Sequence, residues 1–162
     1  MAATVNVNHR TVVHAKSNGL VVGFPDVCLT PTPAGPMPIP YPNVAMSSDT
    51  SDGTRDVHCD GESVMVQGAA FSTSTGDEAG TQGGIISLGT KGKAKFILYS
   101  FDVRFEGKPV CRLGDLMLLN EKTAPNTPPF PEIQPPAVGF SLGDGGPLDD
   151  EDNLVTEIEF AR

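Results

Sequence analysis

Three cysteines and three histidines are the side chains of this chain best suited to hold a metal: Cys28, Cys59, Cys111, His9, His14 and His58. Structural zinc takes four thiolates or imidazoles in a tetrahedron, usually with paired C-x₂₋₄-C spacing. That pairing is absent here. His58 and Cys59 are adjacent, and adjacent strand residues point to opposite faces. The other use of Cys28 and Cys111 is as small buried hydrophobes. A second set, Ser74-Thr75-Gly76-Asp77-Glu78-Ala79-Gly80, offers a hydroxyl and two carboxylates. Hydrolysis by the Ser72–Glu78 segment would need a base within reach of the nucleophile. No histidine sits in a G-x-S-x-G context. On turn chemistry alone, Asp77 caps a tight turn, and Gly76 and Gly80 supply its unusual φ values. Gly89-Thr90-Lys91-Gly92-Lys93 lacks phosphate-loop spacing.

The stretch that must position these groups is Phe24–Asn43, FPDVCLTPTPAGPMPIPYPN, with seven prolines. Proline fixes φ and removes a donor, so the stretch is neither a helix nor a central strand. It also carries Phe24, Val27, Leu29, Met37, Ile39 and Tyr41, apolar surface that asks to be buried. It reads as a rigid extended strap across the domain rather than a plain Pro-rich spacer.

Around the strap the chain reads as short strands and turns. Val5 and Val7 alternate with Asn6 and Asn8, and Thr11–Val13 is β-branched. Asp60-Gly61 is a hairpin turn between DVHCD and ESVMV. Val44–Gly53 and Phe71–Gly84 read as loops, and Ile85–Leu88 as a strand. Lys95–Phe105 is the most strand-like run, with Tyr99, Phe101, Val103 and Phe105 on one face. Val110–Asn120 is taken as extended, and Leu154–Phe160 could form one terminal strand. No internal repeat is visible. The expected fold is all-β, with short strands and hairpins among Pro/Gly-rich loops and little or no helix.

The chain has 162 residues, enough for one domain with a real core. Its formal charge is −9, which argues against nucleic acid and anionic membranes as partners. An odd cysteine count argues against a disulfide framework. No signal peptide and no apolar run of about 20 residues is present, so the protein is expected to be made in the cytosol.

The motifs FPDVCLTPTPAGPMPIPYPN, STGDEAGTQGG, SFDVRFEGKPVCRLGD and Asn126-Thr127 resemble the PAAR-like family named for its PIPY motif. The matching motifs run from about Asn6 to Pro128. The resemblance implies a PAAR-like spike-tip domain over 1–128 and a Pro/Gly-rich acidic extension over 129–162. It implies a cone-like tip of a type VI secretion spike, capping a trimeric VgrG spike at one copy per trimer. Such a tip recruits or delivers a toxic effector, with effector or chaperone supplied in trans. It would be cytoplasmic before firing and then secreted through a contractile injection apparatus. On this reading the protein is not an enzyme, and no catalytic residue is assigned. Related tips carry zinc bound by His and Cys; by position the implied ligands are His14, Cys28 and Cys111, with His58 as a fourth. The implied partner-binding residues are Pro38, Ile39, Pro40, Tyr41, Asp77 and Glu78. The acidic tail is a contact for an effector or its chaperone.

Overall fold

The computed structural model describes residues 3–135. The strands, in order, are β1 (Asn6–Val7), β2 (Arg10–Thr11), β3 (Leu20–Thr30), β4 (Met37–Met46), β5 (Thr50–Ser51), β6 (His58–Cys59), β7 (Glu62–Ser63), β8 (Ala70–Phe71), β9 (Lys93–Phe96), β10 (Arg104–Phe105), β11 (Lys108–Pro109), β12 (Leu116–Glu121) and β13 (Phe130–Pro131). One 3₁₀ turn at Ser47–Asp49 is the sole helical element among the described residues. The protein is all-β, as expected.

Three of the hairpins are copies of one device. β1 pairs with β2, β6 with β7 and β10 with β11, each across a two-residue turn. The turn residues have positive φ: Asn8 52° and His9 63°, Asp60 53° and Gly61 79°, Glu106 51° and Gly107 77°. Positive φ at both central positions is the type I′ turn, whose twist matches that of the flanking strands. A three-residue step follows each hairpin: Val12-Val13-His14, Val64-Met65-Val66 and Val110-Cys111-Arg112. The outer members bridge around a circle, Val12 to Arg112, His14 to Val64 and Val66 to Val110. The middle members close it: Val13 N–H donates to Cys111 O (3.3 Å), Cys111 N–H to Met65 O (3.0 Å) and Met65 N–H to Val13 O (2.8 Å). The chain thus holds an internal threefold repeat.

Two apolar clusters follow from this closure. Val7, Val12, Cys59, Val64 and Val110 pack under the hairpins with Val5, Val103 and Phe105. The ring side chains Val13, Met65 and Cys111 belong to the larger core with Val21, Phe71, Phe96, Met117 and Leu119. Phe71 and Phe96 meet edge to face there at 6.0 Å.

Below the ring lie a five-stranded antiparallel sheet, in the order β13-β12-β9-β8-β5, and the long β3–β4 hairpin. The Pro-rich stretch is extended, but it folds back on itself rather than crossing the domain singly. It forms the longest ladder, from Leu20 opposite Met46 to Thr30 opposite Met37, with a shift between Gly23 and Asp26. The register explains how three prolines are tolerated. Leu29 N–H donates to Gly83 O and Ile85 N–H to Val27 O, so residues 27 and 29 turn their backbone away from β4. Asp26 and Cys28 therefore face β4, and their partners are Tyr41 and Ile39. Pro38, Pro40 and Pro42 alternate with those residues, so their missing donors point to the outer edge.

Several expectations need correction. The alternating run after Phe96 is not a strand: Ser100 is fully buried, Phe101 is 85% exposed, and pairing resumes only at Arg104. Ser100 N–H bonds Val110 O and its hydroxyl accepts from Val103 N–H, which turns the chain. Ile85–Leu88 is a turn rather than a strand, with Leu88 at φ 60°. Val44–Met46 extends β4 instead of opening a loop. Pairing continues past residue 128, since Phe130–Pro131 pairs with β12 and Ile133 bridges Leu20. The expected terminal strand Leu154–Phe160 and the acidic run lie outside the described residues.

Candidate functional site: a buried knot of carboxylates and amides

Strand alternation on β3 turns Asp26 and Cys28 inward, and on β4 it turns Asn43 inward. Ser74 and Asp77 enter from the following loop, Asn120 from the end of β12 and Asn126 from the segment beyond. All seven are buried, Asp26, Cys28, Asn43, Asp77 and Asn120 completely.

Asp26 is the centre. Its Oδ2 accepts from Asn43 Nδ2 at 2.6 Å. Its Oδ1 accepts from Asn120 Nδ2 at 3.2 Å, from Asn126 Nδ2, and from the Cys28 thiol at 3.5 Å. Three carboxamides thus solvate one buried carboxylate. The amides are held in turn: Asn120 Oδ1 accepts from Gly92 N–H, and Asn126 Oδ1 from Ile86 and Ser87 N–H. Ser74 Oγ accepts from Asn43 and donates to Gly92 O at 2.8 Å. Asp77 accepts Lys91 N–H on both oxygens, at 3.1 and 3.2 Å. Such a network is stable only when nearly every member is satisfied.

Burial, with the Asp26 carboxylate beside it, pushes Asp77 up to about 6. Burial and the neighbouring Asp26 also push the Cys28 thiol up to about 12, so it stays protonated and is not a nucleophile at neutral pH. Two glycines let the loop close over the knot. A Cβ on Gly80 would lie 2.2 Å from Cys28 Cβ, and one on Gly76, at φ 132°, would lie 2.1 Å from Pro42 O.

Asp26, Cys28 and Asp77 bring ligand atoms within 4.8 Å of one another, the one such group among the described residues. Their ligand types suit a divalent metal. Their oxygens, however, already meet amide hydrogens, which an ion would have to displace. The donor pattern fits hydrogen bonding better than coordination.

The other implied ligands lie elsewhere. Cys111 occupies the ring position shared with Val13 and Met65, inside the apolar core, and burial drives its thiol pKa upward. His14 is fully buried, with Nε2 3.1 Å from Asp60 Oδ2 and Nδ1 accepting from Lys16 N–H. His58 is exposed, near Asp56 O at 3.3 Å. Only Cys28 of the four falls in the three-ligand group. Among the implied partner residues, Pro38, Pro40 and Glu78 are exposed, and Ile39 and Tyr41 half-buried. Tyr41 Oη meets Thr30 Oγ1 at 2.6 Å. Asp77 is fully buried, so its side chain shapes the loop and cannot itself meet a partner. Within the Ser72–Glu78 segment, Ser74 is buried with its hydroxyl spent on Gly92 O and Asp77 is buried as well, while Ser72 and Glu78 are exposed.

Sequence reasoning missed Asp26, Asn43 and Asn120, and weighed Ser74 only as a hydrolase nucleophile. The available signal was their place: Asp26 and Asn43 stand at two ends of the Pro-rich stretch, and Asn126 in the Asn-Thr motif.

The profile of the toxin PAAR-like domain matches residues 19–126. Every member of the knot lies within that span. The DNase toxin Tse7 of Pseudomonas aeruginosa strain PAO1 is 38% identical over 160 residues, covering 93% of this chain and 41% of that protein. The chain therefore spans less than half the length of this curated relative. No solved structure matches. The expectation of a non-enzyme is overturned by the relative, which is named for its nuclease activity. Through the motifs gathered at Asp26 and the matched span around them, the chain belongs to the toxin PAAR-like domain family.

Proposed function

We propose that the protein acts in toxin delivery by a type VI secretion apparatus, as the module that seats on the blunt end of a VgrG-type trimer, one copy per trimer. The observation that carries this reading is the threefold closure at Val13, Met65 and Cys111. A single chain with an internal threefold can offer three similar surfaces to three identical chain ends, so the symmetries match. The end of a trimeric β-prism exposes strand edges that need covering. Exposed Pro38, Pro40 and Glu78, with Ile39 and Tyr41 beside them, are proposed to contact a partner. The toxin served is proposed to be a DNase, from the name of the relative. The protein leaves the cell through the contractile apparatus; no helix among the described residues is long and apolar enough to cross a membrane.

The knot is read as a hydrogen-bonded lock that fixes the β3–β4 hairpin and the 74–92 loop. Zinc at Asp26, Cys28 and Asp77 is the competing reading; stoichiometric zinc in the purified protein, with melting lowered by a chelator, would establish it.

Light scattering on the full chain mixed with purified trimeric spike should show a complex of one copy per trimer. A chain that stays wholly unbound sinks the reading. Recipient cells attacked by a strain carrying the protein should accumulate degraded DNA, and intact DNA in dying recipients removes the DNase assignment.

A further inference from the structure

The chain holds six lysines, and four of them, Lys91, Lys93, Lys95 and Lys122, line one cavity of about 300 Å³ together with Glu121. This concentration of positive charge stands in a chain of net −9. Lys95 Nζ is paired with Glu121 at 2.8 Å, and Lys91 Nζ lies 4.0 Å from Glu78. Lys93 and Lys122 have no carboxylate partner among the described residues. The cavity is also built. The stem of Lys122 lies across Gly89, where a Cβ would come within 2.7 Å of its Cγ. Lys93 and Lys95 stand two apart on β9, so their side chains share a face.

The complementary charge is in the same chain. Residues 136–162 carry seven of the twenty acidic residues and one of the eleven basic ones, a net −6 of the −9. We propose that the lysine-lined cavity is a receptor for a carboxylate-rich segment, and that its occupant is the chain's own acidic run, Asp149–Asp152. Reach does not limit this. The 14 residues from Pro135 to Asp149 can span roughly 45 Å when extended, more than the ~36 Å diameter that the radius of gyration of a domain this size implies. The pattern of charge favours carboxylates over phosphate. Lysine ammoniums are separate point charges without the bidentate fork of arginine, and no arginine lines the cavity. An extended acidic run repeats its carboxylates at the same two-residue spacing as Lys93 and Lys95. The wall of the cavity is also the roof of the knot: Lys91 N–H bonds Asp77 and Gly92 N–H bonds Asn120. Occupancy of the cavity thus bears on the backbone that locks the hairpin.

Zero-length carbodiimide cross-linking of the full chain, mapped by mass spectrometry, tests this. At 20 mM salt, links should join Lys91, Lys93, Lys95 or Lys122 to Asp149–Asp152. They should fall at least fivefold in 0.5 M NaCl and in the K93Q/K122Q variant. The Lys16–Glu62 link, from a pair 2.5 Å apart, should persist in that variant and report an intact fold. Acidic-run links spread equally over Lys16 and Lys108 overturn the proposal. So do links formed only between isotopically distinct copies, which would make a second copy the occupant. Loss of the links in 10 mM inorganic phosphate at matched ionic strength would make the cavity a phosphate site, and the proposal fails.

Discussion

The ring at Val13, Met65 and Cys111 and the knot at Asp26 are both closed to water, yet they are held by different kinds of interaction. In the ring, backbone hydrogen bonds do the closing, and the side chains only have to be apolar and of roughly suitable size. Valine, methionine and cysteine fill three equivalent places. In the knot the side chains themselves make the bonds, so atom type and direction are both constrained. Non-directional burial tolerates substitution if volume is kept. A buried carboxylate without its donors does not.

That difference is sharpest at Asp26. Asp26→Ala takes one of the two acceptors from each Nδ2 group of Asn43, Asn120 and Asn126, leaving three buried N–H bonds unpaired while Ser74 Oγ, Gly89 O and Val27 O hold the others. Stability should fall by about 4 kcal/mol or more, read by urea unfolding. A loss below about 1 kcal/mol would erase the distinction between the two regions.

A buried carboxylate that has no donors stands between these cases. Glu132 is fully buried and neither carboxylate oxygen has a hydrogen-bond partner. Burial, opposed by the nearby Gln134 and reinforced by Asp115, pushes its pKa up to about 8. Its folded pKa lies above the unfolded one, so its stabilisation is complete below about pH 4.5 and is lost as pH rises through about 8. The cost on crossing that window is about 5 kcal/mol. Asp77, pushed up to about 6, adds in the same direction over a lower window. Glu132→Gln should flatten the upper part of the decline, measured by melting temperature from pH 5 to 9. An unchanged slope would mean that the carboxyl finds water or a partner when ionised.

The smallest effect belongs to the ring. Cys111→Val keeps an apolar side chain of similar size, and should change stability by less than about 1 kcal/mol. It should also leave any bound zinc unchanged by elemental analysis. Loss of stoichiometric zinc would show that this thiol works as a ligand after all.

The all-β class was legible because turn chemistry is local: Asp60-Gly61 and Glu106-Gly107 announce their hairpins directly. The threefold repeat was not, because its third turn is Asn8-His9, and its bridging residues are His14, Val66 and Arg112. The closure is made by backbone, which no side-chain pattern reports. Cys28 and Asp77 were singled out from their motifs, but Asp26 and the asparagines around it were not. Asn43 closed the Pro-rich stretch, Asn120 ended an extended run and Asn126 stood in a distant motif, and only the tertiary fold brings them to one carboxylate. Ser100 hid inside an aromatic alternation whose inward member is the serine.

The three prolines of β4 have one more consequence. With their nitrogens on the outward side, the rim of the longest hairpin offers few donors for another chain to zip onto. Neighbouring copies therefore lack a template for stacking into fibres along that rim, however crowded the store of protein awaiting use.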